Sequence, residues 1–296
     1  MLIGLVGKPS SGKSTFFKAA TLAEVEIASY PFTTIKPNHG VGYVKVDCIE
    51  REFSVKCQPA HGFCIEGKRF VPVEMMDVAG LVPGASEGKG LGNQFLDDLR
   101  QADVFIHIVD ASGTTDEEGK PVEKHDPSRD ILFLENELNK WFYNLMVKAW
   151  KGFVKKIAQE EGGNFSEAVA KQFSGLKVTE DKVRYVMLRC GLNIDKPTAW
   201  NESELAKFAV MLRKHTKPMI ITANKMDRPR AKENFENVLG KFDYSIIPCF
   251  ADGELALREA DRAGLISYVP GEKSFEIKKE LNDRQKIALD SIKKTM

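Results

Sequence analysis

Apolar positions along the chain follow two rhythms. Short uninterrupted runs, each closed by a glycine, an acid or a polar turn, recur at Leu2–Val6, Val104–Asp110, Pro218–Ala223 and Tyr244–Cys249. Runs of this length, apolar without alternation, suit strands covered on both faces and predict a buried, mostly parallel sheet. Residues 40–47 and 69–76 read as two more strands, paired antiparallel, with an excursion between them. A helix ends over Leu99–Asp103. From Ile131 the rhythm changes: Ile131, Leu134, Leu138, Trp141, Leu145, Ala149, Phe153 and Ile157 recur at helical spacing and predict one long amphipathic helix. Gly162-Gly163-Asn164 breaks it, and shorter helical segments follow around 166–175, 179–190 and 202–215. Trp141, Trp150 and Phe153 are most simply core residues, as is His107, which stands among apolar neighbours on its strand.

The turn after the first strand carries chemistry. Gly7-Lys8-Pro9-Ser10-Ser11-Gly12-Lys13-Ser14-Thr15 fits G-x-x-x-x-G-K-S/T without a mismatch, between a strand and a segment, Phe16–Ala20, that can be helical. The glycines let successive backbone N–H groups point inward at a phosphate chain, and a helix N-terminus adds its positive end. Lys13 can then reach the β- and γ-phosphates, and the Ser14 hydroxyl can ligate Mg²⁺. Further on, a strand ends in Asp77-Val78-Ala79-Gly80, a D-x-x-G in which Asp77 can support Mg²⁺ and the Gly80 N–H can contact a γ-phosphate. A third strand runs into Asn224-Lys225-Met226-Asp227, an N-K-x-D. The Asp227 carboxylate can accept both N1–H and N2–H of guanine, whereas adenine offers no such donor pair and would leave a buried carboxylate unpaired. Phe250-Ala251-Asp252, after the last strand, is where a small residue's backbone N–H could meet guanine O6. A site that needs both the strand ending at Asp110 and the strand starting at Pro218 makes them sheet neighbours. The expected architecture is therefore α/β: a P-loop GTPase domain of residues 1–111 and 206–273, with an all-helical domain of residues 112–205 inserted into it. Residues 274–296 form a basic-amphipathic helical tail.

With these elements in order, the chain resembles the translation-factor-related GTPases of the Obg–HflX superfamily, most closely the YchF (Obg-like) branch in its archaeal form. Two long segments carry the likeness: Tyr30-Pro31-Phe32-Thr33-Thr34-Ile35-Lys36-Pro37-Asn38, and the run from Asp77 to Leu96 that includes Gly80-Leu81-Val82-Pro83-Gly84 and Gly88-Lys89-Gly90-Leu91-Gly92. The resemblance implies that Thr34 is the switch I threonine ligating Mg²⁺ beside Ser14, and that Gly80 to Gly92 is switch II. It implies an inserted helical domain, slow GTP hydrolysis and association with ribosomes. It also implies a C-terminal β-grasp (TGS) domain, and these 296 residues stop where that domain would begin. Three positions depart from familiar patterns. Leu81 stands where Ras-like enzymes place a glutamine that orients the attacking water. Ser10 stands where many relatives carry an asparagine associated with K⁺ dependence. Phe250 replaces the usual serine of the last motif. Some members of the branch end the base motif with Glu and prefer ATP; Asp227 favours guanine, so an ATPase is the alternative, and a nucleotide-gated scaffold with incidental hydrolysis is a third reading.

Composition narrows the partners. The formal net charge is +1 with 29% charged residues, so any nucleic-acid contact must come from a local patch rather than bulk charge. Lys148, Lys151, Lys155 and Lys156 supply one such stripe on the long helix. A solvated helix face is its bland reading, and an RNA- or ribosome-facing stripe is the sharper one. No apolar run approaches the ~20 residues that span a bilayer, and no basic segment precedes the first apolar run as in a signal peptide. Five cysteines, an odd number, argue against a disulfide framework and for a reducing cytoplasm, where a monomer is expected. Cys48, Cys57, His61 and Cys64 could together ligate zinc, but the spacing is not a standard pattern, so unliganded thiols are the expected state.

Overall fold

The computed structural model describes residues 1–21, 38–81, 84, 97–157, 164–193 and 196–295. Strands β1 (Leu2–Val6), β2 (Asn38–Asp47), β3 (Phe63–Ile65), β4 (Lys68–Asp77), β5 (Val104–Asp110), β6 (Met219–Asn224) and β7 (Ile246–Pro248) form one sheet in the order β2-β4-β1-β5-β6-β7, with β3 pairing β4. The pairs β1–β4, β1–β5, β5–β6 and β6–β7 are parallel. β2 and β3 run antiparallel to β4, and the β2–β4 ladder extends from Asn38↔Asp77 to Asp47↔Lys68. The sheet is thus mostly parallel, with β5 and β6 side by side. β7 is shorter than the apolar run around it; it lies at an edge, where Pro248 withholds no ladder donor.

Helix α1 (Lys13–Thr21) covers one face of the sheet, where Phe17 meets Ile3, Leu5 and Met75. The opposite face carries α3 (Pro127–Ile157), which follows the short α2 (Glu50–Phe53) in the chain. Leu134, Leu138 and Trp141 of α3 share one apolar cluster with Val6, Met76, Phe105 and Met219 of the sheet. At 31 residues α3 is about 46 Å long, so its second half runs past the strands. There Trp150, Phe153 and Val154 join side chains of α4 (Phe165–Gln172), α5 (Glu180–Cys190) and α6 (Glu202–Thr216) in the same cluster. Trp150 stacks on Trp200 with centroids 5.3 Å apart and touches Phe165 and Phe208 edge-on or tilted. The helix starts are encoded locally. Asn164 accepts from two N–H groups at the start of α4, and Asn201 with Glu204 forms a reciprocal capping box on α6.

Helices α7 (Ala231–Val238) and α8 (Ala251–Arg262) follow β6 and β7. The tail departs from the expected helix. Glu276–Ile277 (β9) pairs antiparallel with Ile266–Ser267 (β8), and only Asp283–Thr295 (α9) is helical. The reason lies at Asn282. Its side chain accepts from Gln285 N–H while Gln285 accepts from Asn282 N–H, a capping box that starts the helix there. Leu281, Leu289 and Ile292 then bury against Leu257, Ile266 and Tyr268. Among the described residues no helix is long and apolar enough to cross a membrane.

Candidate functional site

β1 delivers the loop Gly7–Gly12 to the C-terminal edge of the sheet, where α1 begins with Phe16 N–H donating to Gly12 O at 2.9 Å. Gly12 has φ +96°, and a Cβ there would stand 2.3 Å from Asn224 Nδ2, so no side chain fits. Ser11 Oγ and Lys13 Nζ both donate to Lys8 O, at 3.0 and 2.9 Å, and hold the loop curled. Burial brings the Lys13 ammonium down to about 8, against the opposing pull of Asp77.

Asp77 at the end of β4 is fully buried, and its Oδ2 accepts from Ser14 Oγ at 2.7 Å. Its Oδ1 is buried with no hydrogen-bond partner among the described residues. Burial raises the Asp77 pKa, while Lys13 and Ser14 oppose it. An orphaned carboxylate oxygen beside a serine hydroxyl fits a hard cation such as Mg²⁺. Gly80 lies against the loop: a Cβ there would come within 2.8 Å of Pro9 N. Leu81 N–H donates to Gly7 O at 3.0 Å, and its side chain is buried in the core. Thr34, the Tyr30–Pro37 segment and the run 85–92 lie outside the described residues, as do Val82 and Pro83.

The base-reading turn is tied directly to this loop. Asn224 Nδ2 donates to Ser11 O at 3.1 Å, and its Oδ1 accepts from Ala251 N–H at 3.1 Å. That amide, expected to face guanine O6, is therefore engaged by Asn224 in this arrangement. Lys225, with φ +65°, donates to Ser10 O and to Asp110 Oδ2, both at 2.8 Å. Asp227 is partly buried, with Oδ2 3.1 Å from Nε of the exposed Arg228. Phe250 precedes α8, its ring held over Gly253, where a Cβ would come within 2.5 Å of it. Lys13, Ser14, Asp77, Asn224 and Lys225 thus converge at one edge of the sheet, with Thr15 in the first turn of α1 behind them.

Two features of the site escape a motif reading. Asp110, fully buried at the end of β5, anchors Lys225 and accepts from Ser112 and Thr115. Burial alone would raise its pKa, but these partners, Lys225 foremost, hold the carboxyl below the usual range. An acid at the carboxyl end of a parallel strand was the available signal, the same one that marks Asp77. Lys8 turns its side chain away from the phosphate loop. Its Nζ donates to Thr115 O at 2.6 Å and lies 2.8 Å from Asp130 Oδ2, with both side chains 1% exposed. Asp130, in the first turn of α3, also meets His125 Nε2 at 2.7 Å. Lys8 therefore offers the loop only its backbone, and locks the loop to the helical layer. His107 sits beneath, fully buried; burial first, then Lys13 and Lys8, lower it to about 3, so it is neutral.

Lys148, Lys151, Lys155 and Lys156 are all exposed on α3. Of the four residues that could together ligate zinc, the structure gathers Cys48, Cys57 and Cys64, and His61 is outside the cluster.

Residues 2–140 match the family model described as 50S ribosome-binding GTPase, and residues 222–296 match that of the Obg-like GTPase YGR210-like, G4 motif-containing domain. A GTP-binding protein of Methanocaldococcus jannaschii is 48% identical over 99% of this chain and 73% of its own length. One of Schizosaccharomyces pombe is 39% identical over 92% of this chain, which spans 66% of that protein. The crystal structure of a GTP-binding protein from Pyrococcus horikoshii OT3 superposes with a TM-score of 0.77 at 36% identity, covering this whole chain and 76% of that one. Likeness that runs through both the phosphate loop and the base-reading turn settles the family: the chain belongs to the Obg-like GTP-binding proteins.

Proposed function

We propose that this protein binds GTP with Mg²⁺, hydrolyses it slowly to GDP and phosphate, and uses the cycle as a switch on ribosomes or structured RNA in the cytoplasm. The reading rests on one observation above all. A buried lysine, a buried carboxylate with an unpartnered oxygen, and an Asn-Lys turn bonded to the loop backbone meet at one edge of the sheet.

Lys13 and the backbone N–H groups of the loop 7–15, Pro9 excepted, neutralise and position the phosphates. Ser14 and Asp77, with Thr34, hold Mg²⁺, which when bound shields the β- and γ-phosphate charge. Gly80 lies close enough to the loop for its N–H to respond to the γ-phosphate. Asp227 turns from Arg228 to the guanine edge, and Asn224 and Lys225 keep the turn on the loop. Leu81 is buried and apolar, so no side chain at that position orients water, which accords with slow turnover and also with a nucleotide-gated scaffold whose hydrolysis is incidental. The exposed lysines of α3 are the surface suited to phosphate backbone, and the description of the matched family as ribosome-binding accords with it.

Calorimetric titration with GTP and ATP, alongside turnover with and without K⁺ and ribosomes, tests the reading. GTP is expected to bind more tightly than ATP, and Asp227→Asn to weaken GTP by a hundredfold or more. Unchanged affinity in that variant would refute the base-reading role. Negligible turnover even with ribosomes and K⁺ would favour the scaffold.

A further inference from the structure

The excursion between β2 and β4 is held at its end by β3, which pairs β4, but has little regular structure before it. Its helix α2 is four residues long, too short to persist unaided. Ile49, Phe53 and Val55 point their apolar side chains into solvent, at 62%, 66% and 60% exposure. Yet three cysteines, each half-buried, come together here from separate places: Cys48 after β2, Cys57 after α2 and Cys64 in β3. Their sulfurs all lie within 4.8 Å of one another, and Cys48 and Cys64 are 3.5 Å apart.

These distances have a chemical meaning. A disulfide needs sulfurs about 2.05 Å apart. A tetrahedral ion with bonds of about 2.3 Å separates its sulfur ligands by about 3.8 Å, which lies between the 3.5 Å pair and the 4.8 Å limit of this cluster. Cys57 N–H donates to Glu50 Oε2 at 2.9 Å, so the backbone around the thiols is braced before any ion enters.

We propose that Cys48, Cys57 and Cys64 bind one zinc ion as thiolates, and that this ion ties the segment 49–62 to the ends of β2 and β3. Thiolates select a soft or borderline ion over Mg²⁺ or Ca²⁺. Three S–H protons leave as three Zn–S bonds form, with no change of oxidation state. Three thiolates leave the fourth tetrahedral position to a water or to His61, which stands three residues before Cys64 on the exposed rim.

The full chain, purified under reductant without a polyhistidine tag, is analysed for metal by mass spectrometry. About one zinc per chain is expected. Cys48→Ser and Cys57→Ser should lose at least nine-tenths of it, while Cys190→Ser, a buried cysteine of α5, should retain it. Co²⁺ loaded into the stripped chain should give a thiolate-to-cobalt charge-transfer band and tetrahedral d–d bands, both absent in Cys57→Ser. GTP binding by each variant reports that the fold persists. Failure of the stripped wild-type chain to take up Zn²⁺ or Co²⁺ under reductant would overturn the proposal. So would a Cys48–Cys64 disulfide in the protein as isolated, or full zinc content in Cys57→Ser.

Discussion

The nucleotide edge of the sheet and the helical layer beneath it are held by opposite means. At the edge, charged and polar groups are buried and satisfy one another except at Asp77 Oδ1: Lys13 on Lys8 O, Lys225 on Ser10 O and Asp110, Asn224 between Ser11 and Ala251. In the far half of the helical layer Trp150, Trp200, Phe165 and Phe208 pack ring against ring, and the buried charge of the layer, Arg213 on Asn139 and Glu135, lies apart from them. Burying charge costs free energy that burying an indole recovers. The contrast teaches that apolar burial stabilises the layer while the edge bears the desolvation cost of charges kept for a ligand. Lys8 and Asp130 join the two, as a buried ion pair between the loop and the first turn of α3.

The contrast can be broken most forcefully in the helical layer. Trp150→Ala removes a 6% exposed indole and is expected to cost about 4 kcal/mol of unfolding free energy, while GTP affinity at a temperature where the variant is folded stays within twofold. Denaturant unfolding and calorimetric titration read the two quantities separately. Asp130→Ala should cost about 3 kcal/mol, because it leaves the Lys8 ammonium buried without its partner. Unlike Trp150→Ala, it should also weaken GTP, since the loop loses its tether; loss of stability with unaltered affinity would show that the junction is purely structural.

The smallest effect is the most diagnostic. With Lys13 at about 8 in the free protein, GTP affinity should be flat below that pH and fall by up to tenfold per unit above it, as the phosphates then need a proton the lysine has lost. The fold responds with the opposite sign. Between about 8 and the ordinary lysine value of 10.5, the unfolded chain holds this proton and the folded chain does not, so this group's contribution to stability rises with pH there. Affinity and stability measured across pH 7–10 should therefore diverge; Lys13→Met should abolish the fall in affinity and lessen the rise in stability, leaving the share that the buried Lys217, also lowered to about 8, contributes.

How much was legible in the sequence follows the range of the forces involved. The phosphate loop, Asp77 and the Asn224–Asp227 turn were legible because their chemistry demands particular residues at fixed short spacings, between strands marked by uninterrupted apolar runs. The long helix was legible from its periodicity, and its lysine stripe is exposed as that periodicity requires. The β9 pairing was not, because Glu276–Ile277 is two residues long and carries no period, although the Asn282 cap that starts α9 is written locally in Asn282 and Gln285.

What the sequence determined by itself was the set of local geometries: where a glycine must curl the loop, where an acid ends a strand, where a cap starts a helix. Only the tertiary structure decided that Lys8 faces Asp130 rather than phosphate, that Asp110 secures Lys225, that Ala251 N–H goes to Asn224, and that three thiols meet without His61. Each of these joins residues far apart along the chain. Such pairings are selected by the burial and mutual satisfaction of polar groups once the sheet has brought them together, and no local spacing records that.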